Sequence, residues 1–145
     1  MSMRSTISIA DLRDAMHGRV IAPGDDAYDE ARTLFYGGMD RRPAVIARAA
    51  DATDVAHVVS LARESGVELA VRSGGHSIAG HSESEGGITL DLSAMRALDI
   101  DVGGRTAWAE PGVTSGEYTT AAGAHGLATG FGDAGSVAVA GITLG

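Results

Sequence analysis

The sequence predicts an α+β fold, on three observations. Residues 44–71 read as strand, helix and strand, the spacing of a βαβ unit. A Gly103-Gly104 pair divides two alternating apolar–polar runs, which signals an antiparallel hairpin. Glycine is abundant, 21 of 145 residues, roughly twice the average share, and much of it is gathered at 74–87, 103–116 and 123–145. Gathered glycine implies backbone in dihedrals other residues avoid, or backbone pressed against a neighbour.

Taken in order, Ser8 and Asp11 with Ile9, Leu12 and Met16 predict a short capped helix ending at Gly18. A brief extended piece, Val20-Ile21-Ala22, precedes Pro23-Gly24. Asp25 is expected to cap a second helix that turns Tyr28, Ala31, Leu34 and Phe35 inward and stops at Gly37-Gly38. Residues 1–38 thus form a helical lead-in, and residues 39–145 the main domain. Ala44-Val45-Ile46-Ala47 reads as a strand apolar on both faces. Asp51 caps a helix with the stripe Val55, Val58, Val59 and Ala62, ended by Gly66. Residues 67–71 form the next strand, parallel to the first through a right-handed crossover. Residues 87–92 give a further strand. In the hairpin, a two-residue Gly-Gly loop sets Leu98 and Ile100 on one face with Ala109 and Ala107. Thr114-Ser115-Gly116-Glu117 fits a capping box for a helix carrying Tyr118, Ala121 and Ala122. Residues 137–145 are apolar with no stop signal, which suggests a polypeptide cut inside a domain.

Composition removes several function classes. A net charge of −8, with 11 scattered Lys and Arg, weighs against a nucleic-acid partner. Zero cysteines excludes disulfides and thiolate metal sites and is compatible with the cytoplasm, the expected location. Residues 1–10 lack a continuous apolar leader core, and no run approaches a membrane span, so no membrane partner is expected.

Chemistry concentrates in Arg72-Ser73-Gly74-Gly75-His76-Ser77, directly after a predicted strand. Adjacent glycines let successive N–H groups face one anion, with hydroxyls from Ser73 and Ser77 and charge from Arg72. No Lys-Ser/Thr pair follows, so this is no triphosphate loop; a plain strand-exit turn remains the alternative reading. Gly130-Phe131-Gly132-Asp133-Ala134-Gly135 matches G-x-G-x-x-G, but the β-branched, glycine-containing run from Ser136 to Ile142 makes a poor helix start. The five histidines lack convincing metal-ligand partners, and no Gly-x-Ser-x-Gly elbow supports Ser-His-Asp hydrolysis. No metal is expected.

Together, Arg72–Ser77, Ile88-Thr-Leu-Asp-Leu-Ser93-Ala-Met95, Ala109-Glu-Pro-Gly-Val-Thr114, Gly126-Leu-Ala-Thr129 and Val139-Ala-Gly-Ile-Thr-Leu-Gly145 occur in an order that resembles the FAD-linked oxidases related to vanillyl-alcohol oxidase and p-cresol methylhydroxylase. The resemblance is strongest to their berberine-bridge-enzyme and 6-hydroxynicotine-oxidase branch, and it covers about residues 40–145. It implies a PCMH-type FAD-binding domain, here the first βαβ subdomain and the start of the second. It implies FAD bound covalently, with His76 bonded to the flavin 8α-methyl carbon and the loop of Arg72, Ser73, Gly74, Gly75 and Ser77 around the pyrophosphate. Pro111, Gly112, Gly132, Asp133, Ser136 and Gly141 match stretches near the diphosphate and ring. The whole enzyme would oxidise a small organic substrate by hydride transfer, with no catalytic base in these residues and little turnover from this chain alone. Two alternatives share the fold: a non-catalytic flavin-binding remnant and a reductase holding FAD without a covalent bond. Three departures stand out. Ala134 lies near where bicovalent members have cysteine, Ala138 where glycine is common, and Asp133 adds a carboxylate.

Overall fold

The computed structural model describes residues 7–144. Residues 1–6 and residue 145 lie outside the described residues. Helix α1 (Ile9–Ala15) starts at Ser8, whose hydroxyl accepts from the Asp11 N–H, and it buries Leu12. Strand β1 (Arg19–Ile21) pairs antiparallel with β2 (Val45–Arg48). Helix α3 (Ala52–Ser65) is capped by Asp51 and ends at Gly66, at φ +66° in the left-handed region glycine favours. Strand β3 (Leu69–Arg72) follows, then β4 (Ile88–Asp91).

The four strands form one sheet in the order β1-β2-β4-β3. The predicted parallel relation of β2 and β3 is present, but β4 lies between them and is parallel to both. Burial explains the order. All four residues of β4 are buried, as a central strand requires, while β3 leaves Val71 exposed at the sheet's edge. One face of the sheet packs Leu12, Met16, Val20, Val45, Ala47, Val58, Ile88 and Leu90 into a single core. The other covers Ile21 and Ile46 with Tyr28 and Ala31. The lead-in is therefore not merely helical: it supplies an edge strand and part of the same core.

Four expectations need correction. The second helix is a single turn, α2 (Tyr28–Ala31), because the Asp25 carboxylate accepts from the Ala22 N–H and does not cap it. Phe35 points outward, 63% exposed, and so does Val59 of the α3 stripe. The hairpin of β5 (Leu98–Asp101) and β6 (Thr106–Ala109) has the expected register, Leu98 opposite Ala109 and Ile100 opposite Ala107. Its loop, however, runs over residues 102–105, because the Asp101 carboxylate captures the Gly104 N–H at 2.9 Å and Arg105 adopts φ +51°. Finally, the run after Gly135 does form a helix, α5 (Val139–Leu144). Its backbone is tethered by the Val139 N–H bond to Val113 O at 2.8 Å, a tertiary contact that outweighs its poor helix propensity. Helix α4 (Ser115–Gly123) carries the full capping box of Thr114 and Glu117. Among the described residues, no helix is long and apolar enough to cross a membrane.

Candidate functional site

At the C-terminal end of β3 the chain opens a cleft of about 570 Å³, within the usual size of a small-molecule site. Two glycine-rich segments meet there. The loop after β3 contributes Ser73, Gly74, Gly75, His76 and Ser77; the stretch into α5 contributes Asp133, Ala134, Val137, Ala138, Gly141 and Ile142. Both positions follow from local chemistry. Gly75, at φ +70°, turns the chain back after the strand. The second segment is stitched to the start of α4: Ser115 N–H donates to Val137 O at 2.8 Å, Gly116 N–H to Gly135 O at 2.9 Å, and Ser115 Oγ to Ala134 O at 2.9 Å. The first turn of α4 thus places the far wall of the cleft. Contact between the walls is tight, because a Cβ on Gly74 would sit 2.8 Å from the Ala138 nitrogen.

Among the described residues, the backbone N–H groups of Gly74, Gly75, His76 and Ser77 have no hydrogen-bond acceptor. Unpaired N–H groups at a glycine turn, with serine hydroxyls beside them, form a concavity suited to a phosphate or diphosphate. The lining holds two histidines and one carboxylate, Asp133, and no Lys or Arg. An anion here would meet dipoles and hydroxyls in place of a fixed cation.

Arg72 explains the missing cation. Its guanidinium turns away from the cleft into the interior, where it donates to Glu83 at 3.0 Å, to Asp91 at 3.4 Å, and to the carbonyl of Ala31. Thr89 Oγ1 donates to the other Glu83 oxygen at 2.6 Å, and Arg48 reaches Asp91 at 2.7 Å. Burial, the strongest influence, pushes Glu83 above its ordinary value despite Thr89 and Arg72. Burial also acts to raise Asp91, but hydrogen bonds from Ser93, the charge of Arg72 and a hydrogen bond from Arg48 outweigh it and hold the carboxyl low. Arg72 therefore anchors the loop from below.

Gly132, Ser136, Pro111 and Gly112 are also absent from the lining. Gly112 instead packs against the turn after β4, where a Cβ would meet the carbonyls of Leu92, Ser93 and Met95 at 2.5–2.8 Å. Gly132 lies near Ile142, and Ser136 is exposed. In the other direction, the wall includes Phe35, Tyr36, Val71, His81 and Ser82, which the sequence motifs did not single out. Phe35 stacks on the His76 ring, centroids 4.1 Å apart and planes at 25°. No local pattern flags such a pair, since it joins residues far apart in sequence.

A second cluster brings ligand atoms of His17, Asp51 and Asp54 within 4.8 Å of one another. Its oxygens are occupied. Asp54 accepts the N–H groups of His17, Gly18 and Ala50, and Asp51 caps α3 while accepting from His17 Nδ1 at 2.7 Å. It is a staple between the turn before β1 and the start of α3.

Residues 43–145 match the family model described as an FAD binding domain. (R)-6-hydroxynicotine oxidase of Paenarthrobacter nicotinovorans is 40% identical over 114 residues, covering 79% of this chain and 25% of that protein. The FAD-linked oxidoreductase YvdP of Bacillus subtilis is 35% identical over 129 residues, covering 88% of this chain and 29% of its own. Among solved structures, 6-hydroxy-D-nicotine oxidase of Arthrobacter nicotinovorans superposes with TM-score 0.82 at 39% identity over 85% of this chain and 27% of the other. The Physcomitrella patens BBE-like 1 variant D396N gives TM-score 0.89 over 96% of this chain and 31% of that one, and at 22% identity it supports the fold alone. The chain spans about a quarter to a third of the length of these relatives. With the match running from the start of β2 through the cleft, the chain belongs to the FAD-binding domain family of the FAD-linked oxidoreductases.

Proposed function

We propose that this chain is the flavin-carrying portion of an FAD-dependent oxidase, and that His76 bonds covalently to the flavin. The observation that carries this reading is the convergence of the unpaired N–H groups of residues 74–77, the His76 imidazole and the α5 segment on one cleft. Those N–H groups and the Ser73 and Ser77 hydroxyls would take the diphosphate, and the apolar wall of Val137, Ala138 and Ile142 would face the ring system. Bound FAD supplies a two-electron acceptor for a hydride from a substrate carbon. Forming the tether would join a His76 ring nitrogen to the 8α-methyl carbon, with one proton lost from the imidazole and one from the methyl. The two electrons released would be taken up by bound FAD, and dioxygen would be their final acceptor. Substrate oxidation is assigned to the whole protein, and the chain alone is expected to turn over little or nothing.

The test is the intact mass after incubation with FAD and denaturation. Wild-type chain is expected to gain one FAD less two hydrogens, and His76→Ala none. Flavin retained through denaturation by His76→Ala would overturn the linkage. Reversible binding without a mass gain would assign the chain to the noncovalent members of the fold.

A second expectation concerns Gly74. Its replacement by alanine forces a methyl against the Ala138 backbone, which cannot swing aside as a side chain can. Stability is expected to fall by about 1–3 kcal/mol, the cost of overpacking of this kind, and the displaced loop is expected to bind FAD more weakly than wild type. Titration of flavin fluorescence against protein measures that binding.

A further inference from the structure

The matched domain begins at residue 43, yet two aromatic side chains of the cleft, Phe35 and Tyr36, come from the segment before it. Phe35 is 63% exposed, and its ring rests on His76 and Tyr36. Core packing does not hold it there. Its backbone N–H donates to Gly75 O at 3.2 Å, and neighbouring Leu34 is buried against the same glycine. One turn earlier, the Ala31 carbonyl receives the Arg72 guanidinium. The segment is therefore tied to both ends of the glycine turn, and those ties bring the Phe35 ring flat against His76. Tyr36 stands beside the stack, edge-on to Phe35 at 5.2 Å and to His76 at 6.4 Å.

We infer that Phe35 is a positioning residue for His76: its ring holds the imidazole plane in one orientation within the cleft and so sets the rate at which the histidine bonds to flavin. This inference rests on the His76 linkage proposed above. The physical basis is that an imidazole on a loop rotates freely about χ1 and χ2, and bond formation needs its ring nitrogen aligned with one carbon. A face-to-face aromatic neighbour removes much of that freedom at modest energy. Because Phe35 is exposed, changing it leaves the core intact.

The experiment compares the full chain with its Phe35→Ala, Phe35→Leu and Phe35→Tyr variants. FAD affinity is read by fluorescence titration, and covalent incorporation by intact mass against time. Phe35→Ala is expected to incorporate flavin about tenfold more slowly at saturating FAD, a loss larger than any accompanying loss of affinity. Phe35→Tyr restores the rate, and Phe35→Leu does not, because bulk without a flat ring cannot orient the imidazole. An unchanged rate in Phe35→Ala, an equal loss of rate and affinity, or full rescue by leucine would each overturn the inference. Should wild-type chain bind FAD without any mass gain, the linkage fails, and orientation is judged separately by NMR of His76. A single χ1 rotamer in wild type that becomes averaged in Phe35→Ala supports the positioning role; the same rotamer in both refutes it.

Discussion

Replacing Arg72 by alanine is expected to destabilise the chain by about 3–5 kcal/mol, the range for breaking a buried ion pair from one side. Glu83 and Asp91 are 1% and 0% exposed, and Arg72 is the cation that bridges them. Asp91 keeps Arg48, but Glu83 is left with only the Thr89 hydroxyl, and the Ala31 carbonyl loses its donor. The loss should depend on pH. Burial already raises Glu83 above its ordinary 4.5, so its contribution is fully present below 4.5 and is lost as pH rises through the raised folded value. Removing Arg72 raises the folded value further. The gap between variant and wild type is therefore widest near neutral pH and narrows as pH falls toward 5. Urea denaturation at several pH values measures it, and adding Glu83→Gln to Arg72→Ala is expected to recover part of the loss at neutral pH. A constant gap across that range would show that the variant's defect is not the uncompensated carboxylate.

Asp54→Ala is expected to cost about 3 kcal/mol, because the Asp54 carboxylate satisfies the N–H groups of His17, Gly18 and Ala50 at 2.8–2.9 Å in a buried position. Losing it orphans these donors at once and unfastens α1 and β1 from α3. Nothing nearby can replace the carboxylate. Space beside Gly18 is nil, since a Cβ there would sit 2.1 Å from the Arg48 carbonyl. Burial tends to raise the Asp54 pKa, and the three backbone bonds outweigh it, leaving the carboxyl below its ordinary 3.8. The stability it contributes is present above 3.8 and is lost as pH falls through the lowered folded value. Wild type should therefore lose stability in that acid window, and Asp54→Ala should lose much less there. Thermal melts between neutral and strongly acid pH test both statements. Parallel pH dependence in the two proteins would remove Asp54 from the account.

Arg72 and Phe35 mark the limit of what could be read along the chain. Arg72 sits beside the glycine turn, where a cation next to an anion site is the natural reading. Its partners lie 11 and 19 residues downstream and reach it only because β4 pairs alongside β3. Phe35 fits a helical stripe on paper, but the Asp25 side chain bonds to Ala22, the helix stops after one turn, and the ring is released toward His76.

Caps and turns were determined by residues within a few positions of one another, and the parallel βαβ unit by the order of strand, helix and strand along the chain. Ser8, Asp51 and the Thr114–Glu117 pair bond to backbone groups three residues away, so the local sequence suffices. The glycine turn bearing His76 was legible for the same reason: only glycine accepts φ +70° at Gly75 without strain. Tertiary structure alone decided the sheet order, the inward turn of Arg72, the helix at α5 and the aromatic cover on His76. Each depends on burial or on hydrogen bonds between segments distant in sequence, and the free energy of such contacts resides in the assembled core, where no single stretch of chain encodes it.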